Sequence, residues 1–182
     1  ENDLVRLPDP TNVLKYPHVV MTGPTQRGYV VTGSTYSHTP TSSDSESKWR
    51  SFDGITGDNA RTWKTWQMYT TAGVYSPGSY GRTASSITDT SSTQHSGEYL
   101  VLETPHKIKL SSWEVRAEYA PRRIVDYAIL GSDTNSSDAN KTGWTLLTSG
   151  TFAAQQDVTA TVSSPTTAFK YHAIVVKSVT NN

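Results

Sequence analysis

The sequence predicts an all-β fold, and three observations carry that expectation. Ser and Thr make up more than a quarter of the 182 residues, Tyr and Trp are prominent, and long aliphatic stretches are few. This is the composition of short strands joined by polar loops. From residue 97 onward, successive segments place apolar side chains at period two, as half-buried strands do. No window of about a dozen residues carries the 3.6-residue stripe of an amphipathic helix.

Along the chain, residues 1–27 come first, with Pro8, Pro10, Pro17 and Pro24. A ladder strand cannot absorb so many residues that lack an N–H. The stretch reads as an extended arm or linker ahead of one sandwich domain at 28–182, a size that sustains a core without covalent staples. "TSSDSES" (41–47) reads as a solvated loop tip. Residues 64–97 are rich in Ser, Thr, Gly and Tyr with only a weak pattern, a length at which structureless loops are usually functional. The strands follow: "GEYLVLE" (97–103), "KIKLSSWEVRAE" (107–118), "VDYAILGS" (125–132), "GWTLLTSG" (143–150), "QDVTATVS" (156–163) and "FKYHAIVVKSV" (169–179). In the second, Ser111-Ser112 adds a residue between Leu110 and Trp113, so a bulge is expected there. No internal repeat is present.

Composition excludes several classes of partner. With 16 basic and 16 acidic residues the formal net charge is zero, which gives neither the electrostatic footprint of a nucleic-acid binder nor a polybasic membrane patch. No apolar run of about 18 residues and no charged-then-apolar leader is visible, so the expectation is a chain without a spanning helix or signal peptide. The chain contains no cysteine, which excludes disulfides and thiol catalysis. Signatures of zinc hydrolysis, acyl transfer and nucleotide binding are missing. A glycosidase needs two carboxylates flanking a cleft. Asp89, Glu98, Glu103, Glu114 and Glu118 are available, but most read as solvent-face residues of alternating strands. The expectation is a protein that is not an enzyme.

The segment "SFDGITGDNARTWKT" (51–65) has neither periodicity. Its Asp-Gly and Gly-Asp-Asn steps demand turns with positive φ, and so tight a loop points carboxylates and carbonyls toward a common centre. Two readings stand: an Asx-turn loop that bonds its own backbone, or a loop that holds a hard cation. Calcium takes six to eight oxygens at about 2.3–2.6 Å, and Asp53, Asp58 and Thr62 are the side-chain donors on offer.

"SKWRSFDGITGDNARTWKT", "SGEYLVLETPHKIKLSSWEVRAE", "DYAILGSDTNSSDANKTGWTLLTS" and "FKYHAIVVKSV" follow one another in an order and spacing that resembles discoidin-type domains. These are the C domains of coagulation factors five and eight and their carbohydrate-binding-module relatives, and the resemblance covers residues 28–179. It implies a jelly-roll β-sandwich of the galactose-binding-like kind that binds glycans, or sometimes lipid head groups or proteins, without catalysis. It also implies a structural calcium at Asp53, Asp58 and Thr62. The sequence departs from the pattern in two ways: it stops at Asn182, ahead of the last Glu-x-x-Leu-x-Gly strand of relatives, which a separate chain or a further segment would then supply unless this branch does without it, and it has no cysteine pair like the one that ties the termini in the coagulation-factor branch. The arm "KYPHVVMTGPTQRGYVVTGSTYS" resembles the lead-in of discoidin-like domains in structural proteins of large algal viruses.

By the topology this resemblance implies, loops 33–50, 64–97 and 117–125 project at one rim. A sugar site needs an aromatic face for the C–H side of a pyranose and planar polar groups for its hydroxyls. The rim offers Tyr75, Tyr80 and Tyr119 as stacking faces, Arg82, Arg122 and Arg123 as polar partners, and His38 with Tyr36 beside them. Trp49, Trp63, Trp113 and Trp144 read instead as core. The expected partner is a cell-surface or cell-wall glycan, met by one domain of a larger multidomain or multimeric protein, extracellular or on a virion surface. The alternative is a protein-interaction or assembly module using the same tyrosine-rich rim. Lipid ranks third, because the tip of loop 33–50 is Ser, Thr and acid rather than apolar. Asn135-Ser-Ser and Asn140-Lys-Thr are glycosylation sequons in a connection expected to be exposed and distant from the rim.

Overall fold

The computed structural model describes residues 14–34, 48–55, 68–80, 83–116, 123–153 and 157–180. Ten strands lie among them: β1 Thr25–Gln26, β2 Tyr29–Gly33, β3 Ser86–Asp89, β4 Gln94–Ser96, β5 Glu98–Ile108, β6 Ser112–Arg116, β7 Asp126–Ser132, β8 Asn140–Thr151, β9 Asp157–Thr161 and β10 Phe169–Val176. Short 3₁₀ turns occur at Lys48–Phe52 and Pro77–Tyr80. Eight strands form one sheet in the order β1-β2-β5-β10-β7-β8-β3-β4, and β6 pairs with β9 in a second. The all-β expectation holds.

Period-two alternation describes the central strands poorly. Tyr99 to Leu102, Tyr127 to Leu130 and Ala173 to Val176 are buried without a break, because both faces of the large sheet are covered. On one face Leu100, Leu102, Tyr127, Ile129 and Ile174 meet Ala160 of β9, with Trp113 and Val115 of β6 packed alongside. On the other, Tyr99, Val101, Ala128, Leu130, Ala173 and Val175 meet Ile87 of β3 and Trp144 of β8. Each fully buried Leu or Ile contributes about 1.5–3 kcal/mol. β8 serves both neighbours: residues 145–151 pair antiparallel with β7, while 140–144 run parallel to β3. Trp144 is a core residue as expected, Trp113 and Trp49 pack partly buried against the opposite cluster, and Trp63 lies outside the described residues.

Four sequence expectations need correction. From residue 14 the expected arm is part of the packed body: Met21 is 1% exposed, and Tyr16 and Val19 pack on the core. At Ser111-Ser112 there is no bulge within one strand. β5 ends at Ile108, and the chain crosses to the small sheet to start β6 at Ser112. The 64–97 stretch contains the β3–β4 hairpin. Lastly, Asp89 and Glu98 are buried rather than on a solvent face. Asp89 organises the hairpin turn: its Oδ1 accepts Ser91 N–H, Ser91 Oγ–H and Thr93 N–H, and Oδ2 meets His95 Nε2 at 3.0 Å. The Ser91 hydroxyl first, then His95, hold its carboxyl well below the usual carboxylate range.

Candidate functional site

Strand register decides which loops meet. Gly33 pairs with Leu100, Glu98 with Val176, Val176 with Tyr127, and Tyr127 with Gly150. The end of β2, the start of β5, the end of β10 and the start of β7 therefore lie at one end of the large sheet. The connection after Ser34 leaves from this end, and it returns here too, because Lys48 Nζ donates to Gly33 O at 2.8 Å. Met68, Tyr69 and Tyr75 cluster with Val176, Ile124 and Val179 at the same place.

The residues after β10 fasten two of these loops. Ser178 bridges to Val74 and Val179 to Ile124. Val179 N donates to Gly73 O at 3.0 Å, and Thr180 N to Arg123 O at 2.8 Å. Gly73 has φ +79°, and a Cβ there would lie 1.9 Å from Val179 O, so only glycine admits this close approach.

Beneath the loops sits Glu98, fully buried. Its Oε2 accepts the Ser34 hydroxyl at 2.9 Å and its Oε1 the Tyr75 hydroxyl at 3.2 Å. Tyr69 OH donates to Val176 O at 2.7 Å and lies 3.4 Å from Glu98 N. Burial first, and Glu98 after it, push the Tyr69 phenol well above its ordinary range. Burial likewise pushes the Tyr75 phenol up to about 12, with Glu98 adding to the rise and the Ser85 N–H opposing it. Burial pulls Lys48 down, and Glu98 pulls it back up. The sequence signal for this group was slight: one carboxylate flush against the apolar run of β5, after a glycine.

Of the residues expected to touch ligand, Tyr75 and Arg123 lie at this end. Tyr75 is half-buried, its ring tilted against Tyr69 with centroids 5.5 Å apart and its hydroxyl turned inward. Arg123 N donates to Thr180 Oγ1 at 3.1 Å. Tyr80 closes the 3₁₀ turn at Pro77–Tyr80. Tyr36, His38, Arg82, Tyr119 and Arg122 lie outside the described residues, as do Asp58 and Thr62 of the expected calcium set. Asp53 is buried, its Oδ1 accepts Ile55 N–H at 2.9 Å, and its Oδ2 lies 3.5 Å from Arg50 Nη1. That is the geometry of an Asx turn closed by an arginine, and a cation at Oδ2 would have to displace Arg50. Among the described residues no group of three or more His, Asp or Glu could hold a metal. Of the two sequons, Asn140 is exposed, whereas Asn135 is partly buried with Nδ2 3.5 Å from Thr32 Oγ1.

No protein-family model matches the chain, and no curated protein does. Solved structures do. CpGH89CBM32-5 of Clostridium perfringens, in complex with GalNAc-β-1,3-galactose, is 12% identical and aligns over 84% of this chain and 86% of its own at a TM-score of 0.53. The family 32 module of C. perfringens NanJ, in complex with galactose, is 19% identical over 46% of this chain and 57% of that one, at a TM-score of 0.38. A Ruminococcus gnavus GH29 fucosidase in complex with fucose is 17% identical, and the chain spans only 15% of its length, at a TM-score of 0.35. By fold, then, the chain is a β-sandwich of the kind built by family 32 carbohydrate-binding modules.

Proposed function

We propose that the chain is a non-catalytic carbohydrate-binding module that recognises a cell-surface or cell-wall saccharide through the loops at this end of the sandwich. The observation that carries the proposal is the register: the end of β2, the starts of β5 and β7 and the end of β10 lie together, and the sequence between these strands is rich in Tyr, Arg and His. The sandwich that aligns over most of this chain at a TM-score of 0.53, CpGH89CBM32-5, was solved in complex with GalNAc-β-1,3-galactose, which makes galactosides and N-acetylgalactosaminides the first ligands to try. Tyr119 and Tyr80 supply stacking faces; Arg82, Arg122, Arg123 and His38 bond hydroxyls. The setting that suits such a module is an extracellular or virion protein with several domains or copies. The resemblance of the arm to algal-virus proteins rests on sequence alone.

The test is a broad glycan array followed by retention on the best immobilised saccharide. Replacing Tyr119 and Arg122 by Ala should abolish retention while leaving the melting temperature nearly unchanged. Variants that bind as the parent does would place the site elsewhere. A second reading, an assembly module, is favoured by exposed aliphatic residues: Val20 and Ile55, 58% and 43% exposed, flank Gly54, and Val74 is 57% exposed at the rim itself. A parent that binds nothing on the array but self-associates in light scattering would establish that reading instead.

A further inference from the structure

Glu98 holds two connections at once, and the chemistry of the three groups explains why a carboxylate stands there. The Ser34 oxygen already accepts Tyr99 N–H at 2.9 Å, and the Tyr75 oxygen already accepts Ser85 N–H at 2.7 Å. Each hydroxyl therefore has a proton to place, and both place it on Glu98, one on each oxygen. Among the described residues, the other acceptor for the Ser34 proton is Tyr99 O, at the longer distance of 3.4 Å. An ionised carboxylate offers two acceptor oxygens, whereas a glutamine of the same shape offers one oxygen and an amide that donates. With glutamine at 98, one of the two hydroxyls would face a donor, and its proton would lose its acceptor in a buried site.

The two hydroxyls belong to different parts of the rim. Ser34 is the last described residue before the connection that ends at Lys48, and Tyr75 stands in the loop that Gly73 and Val74 fasten to residues 178–179. Through Ser85 N–H, Tyr75 also fixes the approach to β3. A single carboxylate at the first residue of β5 thus sets where three stretches of chain leave the sheet.

We propose that Glu98 is the positioning residue of the rim: its carboxylate fixes the spacing of the segments at Ser34, Tyr75 and Ser85, and through them the geometry in which the loops meet a saccharide. The second half of this rests on the glycan-binding reading; the first does not. On this view Tyr75 acts through its inward hydroxyl, as a strut between Glu98 and Ser85 rather than as a sugar-stacking face.

The experiment compares the parent with Glu98→Gln and Tyr75→Phe by amide hydrogen exchange and by retention on a saccharide that the parent binds. In Glu98→Gln the amides of Ser34 and Ser85, neither of which touches the Glu98 side chain, should exchange roughly three- to tenfold faster, the loss of about one hydrogen bond. Amides of Val101, Ile129 and Ile174 in the sheet should stay protected as in the parent. Retention should fall by a similar factor, and Tyr75→Phe should reproduce the fall with Glu98 intact, even if Glu98→Gln fails to fold. Unchanged exchange at both serines, or a uniform rise across the sheet, overturns the positioning role. Faster exchange with unchanged retention overturns the link to ligand. A parent that binds no saccharide defeats the functional reading alone, and the exchange result still decides whether Glu98 positions the loops.

Discussion

His172 stands in the middle of β10, 1% exposed, between Leu102 of β5 and Gly131 of β7. Among the described residues neither ring nitrogen makes a hydrogen bond of good geometry, and the contact with the Ile108 backbone is a marginal one. Gly131, opposite His172 on β7, leaves room for the ring of Phe169, which a Cβ at that position would strike at 2.4 Å. Burial therefore pulls His172 from its ordinary 6.5 down to about 4, while Ile108 and Asp133 pull the other way. Asp133 is itself held by Lys107 at 2.7 Å. The sign follows directly. The unfolded chain takes up a proton at His172 before the folded one does, so the stability of the neutral imidazole is present above about pH 6.5 and is lost as pH falls toward about 4. At one pH unit per 1.36 kcal/mol the loss amounts to about 3 kcal/mol. Thermal melts should show this slope in the parent and its removal in His172→Leu, with little change in stability near neutral pH. An identical slope in both proteins would assign the acid sensitivity to other groups.

At the scale of elements, legibility in the sequence tracked how local the deciding interaction is. β5, β7 and β10 were legible because each carries an apolar run long enough to announce itself, and the short β6 and β9 because their apolar residues alternate. The β3–β4 hairpin was not, since "SITD" and "QHS" owe their strand state to tertiary pairing with β8 and to the turn that Asp89 bonds together. Segment 14–24 was misread because its prolines argue against strands, and nothing local says that an irregular segment will insert Met21 into the core. At the end of the sheet where β2, β5 and β10 meet, the support was not legible: Glu98 looks like any surface carboxylate until Ser34 and Tyr75 arrive from far along the chain. The 51–65 loop belongs at this scale too. If it holds the structural calcium that the family resemblance implies, exhaustive chelation should lower the melting temperature and calcium should restore it, since a ligand bound only by the folded state stabilises by mass action. Identical melts with and without calcium leave Asp53 in the role it has here, an Asx turn closed by Arg50.

For the whole molecule, a saccharide site on a shallow loop rim is weak as a single copy. Each hydrogen bond to a sugar hydroxyl replaces one to water and nets about 0.5–1.5 kcal/mol. Useful adhesion then comes from several copies presented together, with effective concentrations set by the linkers between them. A tandem or particle-displayed form should be retained on a glycan surface far longer than one free domain, and disrupting Tyr119 and Arg122 in every copy should remove the difference. Equal retention of single and multiple copies would argue against a surface-recognition role.

Because the central strands are apolar on both faces, their history before folding differs from that of an amphipathic strand. β5 finds its principal partner, β10, only after more than sixty further residues, with Glu98 pairing to Val176. Until then "EYLVL" has no face that prefers water, and "YAIL" and "HAIVV" share the problem. Sheets closed by such distant pairings form slowly, and unpaired apolar strands associate with one another in the meantime. Recovery after dilution from denaturant should therefore fall as protein concentration rises, with the lost fraction in β-rich aggregates. A yield independent of concentration would mean that β5 is shielded early, and the segment able to do so is 14–34, which precedes it in the chain and carries β2, its other neighbour.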